Sequence, residues 1–257
     1  MKPHHDNEDS RDRPTVLLLH SLGTDRRLWR YQIDSLSTDY DVIAPDCRGH
    51  GGSMWSEAVT VDDWVDDIHR VVREHCGVHV IGLSMGGIQA IAFAGRYPDL
   101  VKSVTIANAF AKLPEEVADA RVTGSATTIL DKGMGAFAEE YLDQTLTQSL
   151  DASDYESLFE AIASMSPDAY LASASATFRA DVIADLAHIT CPVLVVTGEL
   201  DAKIPNERTA EIVAGITDVR HVSIPRAGHL SCIENPTHFN NVVKSFLARV
   251  DDRAVVH

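Results

Sequence analysis

Short runs rich in apolar residues alternate along this chain with stretches in which apolar positions recur every three or four residues. The runs are Thr15–His20, Tyr40–Ala44, Val78–Gly82, Val101–Ala107, Pro192–Thr197 and Val219–Ile224, each bounded by Gly, Pro or Asp. In the first of them Val16–Leu19 is continuously apolar, which suits a strand buried on both faces; the others are similar, so the pattern predicts six strands. Between them, Arg26–Leu36, Val61–His75, Met85–Tyr97, Asn206–Ala214 and Pro236–Val250 carry the helical period, the last with Asn235 as N-cap and Pro236 at its first position. Strand alternating with helix predicts an α/β fold, a mostly parallel sheet flanked by helices.

One region breaks the alternation. From about Lys112 to Ala180 the chain is rich in Ala, Ser and Thr, contains no run of strand character, and includes the amphipathic stretch Ala136–Leu146. It reads as a helical cap inserted over the sheet, with a string of ordinary crossover helices as the alternative. The expected organisation is a core of residues 1–111 and 181–257 with a cap at 112–180 that is not an independent domain.

Composition narrows the classes of function. Lys plus Arg at 22 against Asp plus Glu at 38 gives a formal charge of −16, which repels phosphate backbones and anionic lipid. Neither nucleic acid nor a membrane is expected as a partner, and the oligomeric state is left open. Cys47, Cys76, Cys191 and Cys232 show no paired spacing, which suggests neither a disulfide framework nor a zinc knuckle and fits a reducing cytoplasm. Met1 to Arg13 is polar and charged, so no secretion signal is expected, and no apolar stretch reaches the length of a membrane span.

The most informative motif is Gly82-Leu-Ser84-Met-Gly86-Gly87, placed after a strand and before a helix. A serine in such a sharp, strained turn is exposed for attack, while glycines two before and two after it remove side chains that would collide. The following helix aims its first N–H groups where an oxyanion would form. His20-Ser21-Leu22-Gly23 ends the first strand, where a second donor is expected. The predicted donors are the N–H groups of Leu22 and Met85.

A serine nucleophile in this setting needs an acid and then a histidine on later loops. Gly198-Glu-Leu-Asp201 follows the fifth run and Pro225-Arg-Ala-Gly-His229 follows the sixth. Asp201 would orient the ring of His229, which would take the proton from Ser84; Glu199 competes for the acid role. Other signals are weaker. Arg48-Gly-His-Gly-Gly-Ser53 lacks the spacing of a nucleotide loop, and His69, His75 and His79 with Glu74 lack a repeated ligand spacing. No metal is expected.

With these residues in place, the chain resembles the α/β-hydrolase superfamily, and within it the 3-oxoadipate enol-lactonase group. The resemblance rests on Ser21-Leu-Gly-Thr-Asp25 with Trp29, Arg48-Gly-His-Gly51, Gly82-Leu-Ser-Met-Gly-Gly87, and Gly228-His229 through Glu234-Asn-Pro236. It implies a small lactone or ester opened by acyl transfer to Ser84 and released by water, with no cofactor. The chain departs from that group in starting almost at the third strand of the common fold and in having all its tryptophans, Trp29, Trp55 and Trp64, ahead of the elbow. Phe137, Tyr141 and Met134 are candidates to line the lid, with packing in the core as the equal alternative for each. Carbon–carbon bond hydrolysis on the same triad is the alternative chemistry, with Arg121 or Arg179 holding a carboxylate. A slow-turnover ligand receptor of the same fold is the alternative class.

Overall fold

The computed structural model describes residues 13–55 and 59–254. The N-terminal leader reading therefore lies, apart from Arg13, outside the described residues. Six strands form one sheet in the order β2-β1-β3-β4-β5-β6, every neighbouring pair parallel. They are β1 (Thr15–Leu19), β2 (Asp41–Ile43), β3 (Val78–Leu83), β4 (Val101–Ala107), β5 (Val193–Gly198) and β6 (Val219–Ile224). Each apolar run became a strand, and the most shortened, β2, lies at an edge, where half its pairing partners are missing.

The helices of the core are α1 (Arg30–Leu36), α2 (Val61–Val72), α3 (Met85–Arg96), the single turns α7 (Ile183–Leu186) and α9 (Ser231–Glu234), α8 (Asn206–Ala214) and α10 (Pro236–Ala254). Alternation along β1 explains their placement on both faces. Val16 and Leu18 pack on one side with Trp29, Leu36, Phe239 and Leu247, while Leu17 and Leu19 pack on the other with Ile68, Ile88, Ile91 and Phe93. Each such side chain, fully buried, contributes about 1.5–3 kcal/mol of transfer free energy.

Local chemistry sets the helix ends. The predicted helix from Arg26 divides into a 3-10 turn over Arg26–Trp29, where the Asp25 carboxylate accepts the Arg27 N–H, and then α1. Helix α2 begins with a capping box in which Thr60 and Asp63 satisfy each other's backbone N–H groups. It stops at Val72, short of the predicted His75. The Asn235 side chain accepts the His238 N–H at 3.3 Å, as the expected cap of α10.

Between β4 and β5 the chain makes α4 (Glu115–Thr145), α5 (Ala152–Ala163) and α6 (Pro167–Phe178). Helix α4 is broken at Gly133, whose φ of 81° and ψ of 170° are open to glycine and strained for other residues. The predicted amphipathic stretch lies in the segment after this break. The insertion leaves and rejoins the core at one point: Lys112 and Asp181 form an antiparallel bridge, Lys112 Nζ lies 2.6 Å from the Asp181 carboxylate, and Val182 N–H donates to Ala111 O. Among the described residues, no helix is long and apolar enough to cross a membrane.

Candidate active site

A sharp turn joins β3 to α3. Ser84 has φ 56° and ψ −113°, a conformation its neighbours must hold in place. They do so by contact. A Cβ on Gly82 would overlap the Gly86 carbonyl, and a Cβ on Gly86 would overlap the Leu19 carbonyl of β1. Ser84 N–H donates to Ala107 O at 2.9 Å, tying the turn to the end of β4. The Gly-x-Ser-x-Gly spacing is thus a packing requirement between a strand, a helix and the neighbouring strand.

The carboxyl ends of β5 and β6 bring the acid and the histidine to this turn. His229 Nε2 lies 3.0 Å from Ser84 Oγ, and His229 Nδ1 lies 3.1 Å from Asp201 Oδ2. Asp201 is further held by Asn108 Nδ2 at 2.8 Å and by the Lys203 and Ile204 N–H groups. Burial opposes ionisation of this carboxyl, but the hydrogen bonds from His229, Asn108 and Lys203 outweigh it and hold Asp201 below the usual carboxylate range. Glu199 is engaged elsewhere: its carboxylate accepts Arg226 N–H at 2.9 Å, which pins a left-handed residue of φ 53° ahead of His229.

Leu22 and Met85, the two expected donors, lie near Ser84. Met85 opens α3, so its N–H precedes the first intrahelical acceptor, and Leu22 shares the lining of one cavity with Ser84 and His229. Two buried histidines shape the loop that carries Leu22. His50 Nε2 accepts Gly23 N–H at 3.2 Å, and His20 lies between Ser21 O at Nδ1 and Cys47 N–H at Nε2. Burial first, and the His20 ring 5.1 Å away second, push the His50 imidazole down to about 3. The Arg48-Gly-His-Gly segment is therefore scaffolding, with Arg48 paired to Asp67 and Asp63 of α2.

The cavity over Ser84 measures about 430 Å³ and is closed by the insertion. Phe137, Tyr141 and Arg121 line it as anticipated, but Met134 does not. It follows the Gly133 break and is buried in the core cluster instead. Arg179 is also outside the cavity, paired with Asp119 on the exposed side. A larger cleft of about 550 Å³ beside Trp55 and Trp64 holds none of Ser84, His229 and Asp201. The histidines considered for metal have separate partners: His69 stacks on Tyr97, His75 meets Thr15, and His79 lies between Ser103 and Asp251.

Sequence reading missed Asn108 and gave Glu234 no role beyond its place in a landmark segment. Asn108 sits at φ 48° directly after β4, bonded to Asp201, to Gly228 O and to Ser231 Oγ. Its only sequence signal is an Asn directly after a predicted strand. Glu234 accepts Leu230 N–H with one oxygen and Thr147 N–H with the other, linking the His229 loop to the insertion.

A strand-turn serine, a late acid and a later histidine on a parallel sheet define a class, and the comparisons agree. The family described as alpha/beta hydrolase fold matches residues 14–236, and the chain belongs to it. It is a hydrolase of that fold. 3-Oxoadipate enol-lactonase 2 of Acinetobacter baylyi is 29% identical over 248 residues, 93% of this chain and 90% of that protein. The pimeloyl-(acyl-carrier protein) methyl ester esterase of Neisseria meningitidis is 27% identical over 244 residues, 91% of this chain and 94% of that one. The crystal structure of the enol-lactonase from Burkholderia xenovorans LB400 superimposes with a TM-score of 0.84 at 27% identity, covering 95% of this chain and 94% of that one.

Proposed function

We propose that the chain is a serine hydrolase that cleaves a small carboxylic ester or enol-lactone through an acyl-enzyme on Ser84. The observation that carries this is the continuous path from Ser84 Oγ to His229 at 3.0 Å and on to Asp201 at 3.1 Å, at the wall of a cavity large enough for a small substrate. In this reading Ser84 Oγ attacks the carbonyl carbon while its proton passes to His229 Nε2, and ionised Asp201 stabilises the imidazolium. The N–H groups of Leu22 and Met85 receive the oxyanion. Collapse breaks the carbon–oxygen bond, and the leaving oxygen takes the proton from His229. Water, deprotonated by the same ring, then releases the carboxylic acid. With an enol-lactone the leaving enol stays attached to the acyl group and becomes a ketone.

Residues 112–180 act as the lid in this reading, a division supported by the pairing of Lys112 with Asp181 at its two ends. The enol-lactonases and the methyl ester esterase among the relatives support the substrate class. Arg121 in the lining favours one second reading, hydrolysis of a carbon–carbon bond in an acid-bearing diketone. The deciding experiment compares kcat/KM for an enol-lactone, an aryl ester and such a diketone, using wild type and Ser84→Ala. Ser84-dependent turnover fastest on the lactone or the ester supports the proposal. A preference for the diketone moves the assignment to the second reading, and turnover that survives Ser84→Ala removes the acyl-enzyme.

A further inference from the structure

The cavity above Ser84 holds a charge arrangement that the hydrolytic steps do not use. Arg121 of α4 and Lys203 of the loop after β5 both line it, half-buried, and they touch: Arg121 Nη2 donates to Lys203 O at 2.6 Å. Among the described residues neither side chain has a carboxylate within salt-bridge distance. Asp201 is close enough to be felt, yet its oxygens are taken by His229, Asn108 and the backbone of Lys203 and Ile204. Glu140, the one carboxylate in the lining, is paired with Lys132 at 3.1 Å. The two cations rest instead on aromatic faces, Arg121 over Phe178 at 5.5 Å and Lys203 Nζ over Tyr141 at 4.8 Å.

Placing like charges together in a partly dry cleft is unfavourable. Burial and the Arg121 guanidinium both push the Lys203 ammonium down, and burial does the same to Arg121. Such an arrangement is relieved by an anion that bridges the two. In a chain of net charge −16 the pair is also the local feature that would let an anion approach at all. Resting on the hydrolase reading above, we infer that Arg121 and Lys203 form a carboxylate subsite, so that the substrate carries a free acid group in addition to the bond that Ser84 attacks. The positions reinforce this. Lys203 is fixed by its own N–H to the carboxylate that holds His229, so the anion's place is set relative to the attacked carbonyl. Arg121 comes from the insertion, so the acid group bridges core and cap.

The test uses the phenyl half-ester of adipic acid and phenyl hexanoate, which match in chain length and differ in the terminal carboxylate. Wild type should favour the half-ester in kcat/KM by about 10- to 100-fold, the worth of one hydrogen bond to a charged group. Lys203→Met and Arg121→Gln should bring this ratio toward one, mainly through KM, whereas Arg179→Gln, outside the cavity, should keep it. A wild-type ratio near one, or a ratio that persists in both variants, overturns the subsite. Ser84-dependent turnover of hexanoate without that preference sinks the subsite and leaves the hydrolase standing. If neither ester is turned over, the subsite is read by binding. Adipate should then raise the Tm of wild type more than adipamide does and lose that advantage in Lys203→Met; equal shifts overturn it.

Discussion

The two walls of the cavity are built by different rules. On the core side, Ser84, Asn108, Asp201 and His229 follow β3, β4, β5 and β6, and each is held by backbone hydrogen bonds or by carbonyl contact at a neighbouring glycine. On the insertion side the wall is made of aromatic and small residues on helices, with Arg121, Glu140 and Gln144 among them. Its ties to the core include Arg30 to Asp154, Arg27 to Glu160, Thr147 to Glu234 and Arg121 to Lys203. The difference teaches where precision is kept. Reacting groups are placed by close backbone packing, which tolerates no added atom, whereas the opposing wall is free to set shape and charge.

The largest effect that sharpens this contrast is expected from Asp201→Asn. It should lower kcat by about 10⁴-fold, as wrong-tautomer variants of this arrangement do, with the fold retained by circular dichroism. Glu199→Gln should stay within a few-fold, because that carboxylate serves the Arg226 turn. A reversed ranking would break the acid assignment. Gly82→Ala comes next, since its methyl would meet the Gly86 carbonyl inside contact distance. A loss above about 3 kcal/mol, or failure to fold, is expected, and a near-normal denaturation midpoint would show that the core wall can yield after all.

Asn108→Ala should lower kcat by about 10- to 100-fold with little change in KM, because it removes one of the donors that hold Asp201. Equal loss in both parameters would make it a substrate-wall residue instead. The smallest effect concerns pH. The His50 value of about 3 lies far below that of an exposed imidazole, so as pH falls below about 6.5 the unfolded chain takes up a proton that the folded one refuses. Stability from this group is complete above that pH and should fall by about 1.4 kcal/mol per pH unit on acidification. Denaturant midpoints between pH 6.5 and 5 should flatten in His50→Gln, and equal slopes would remove the assignment.

Much of this was legible in the chain because its signals are local. The six apolar runs gave the strands, and a strand, Gly-x-Ser-x-Gly and a helix in direct succession gave the elbow. Order along the chain then pointed to Asp201 and His229. What stayed hidden depends on residues far apart meeting in space. Asn108 reaches Gly228 across the sheet, and Arg121 meets Lys203 across the cavity. Met134, for which lid and core were equal expectations, falls to the core directly after the break at Gly133, a choice that only the packing of the folded chain decides.

The junction at Lys112 and Asp181 has a consequence in terms of chain topology. The long segment between them is a loop whose ends already meet, so beyond the contacts it makes, its length enters the stability of the fold through closure entropy, about 0.6 kcal/mol for each doubling. The register of β4 on β5, set by Val104 against Val193 through Ala107 against Val196, does not pass through that loop. A lineage could therefore lengthen, shorten or replace the segment while the strands carrying the reacting groups stay aligned. The cation it contributes is heritable separately from the serine it faces.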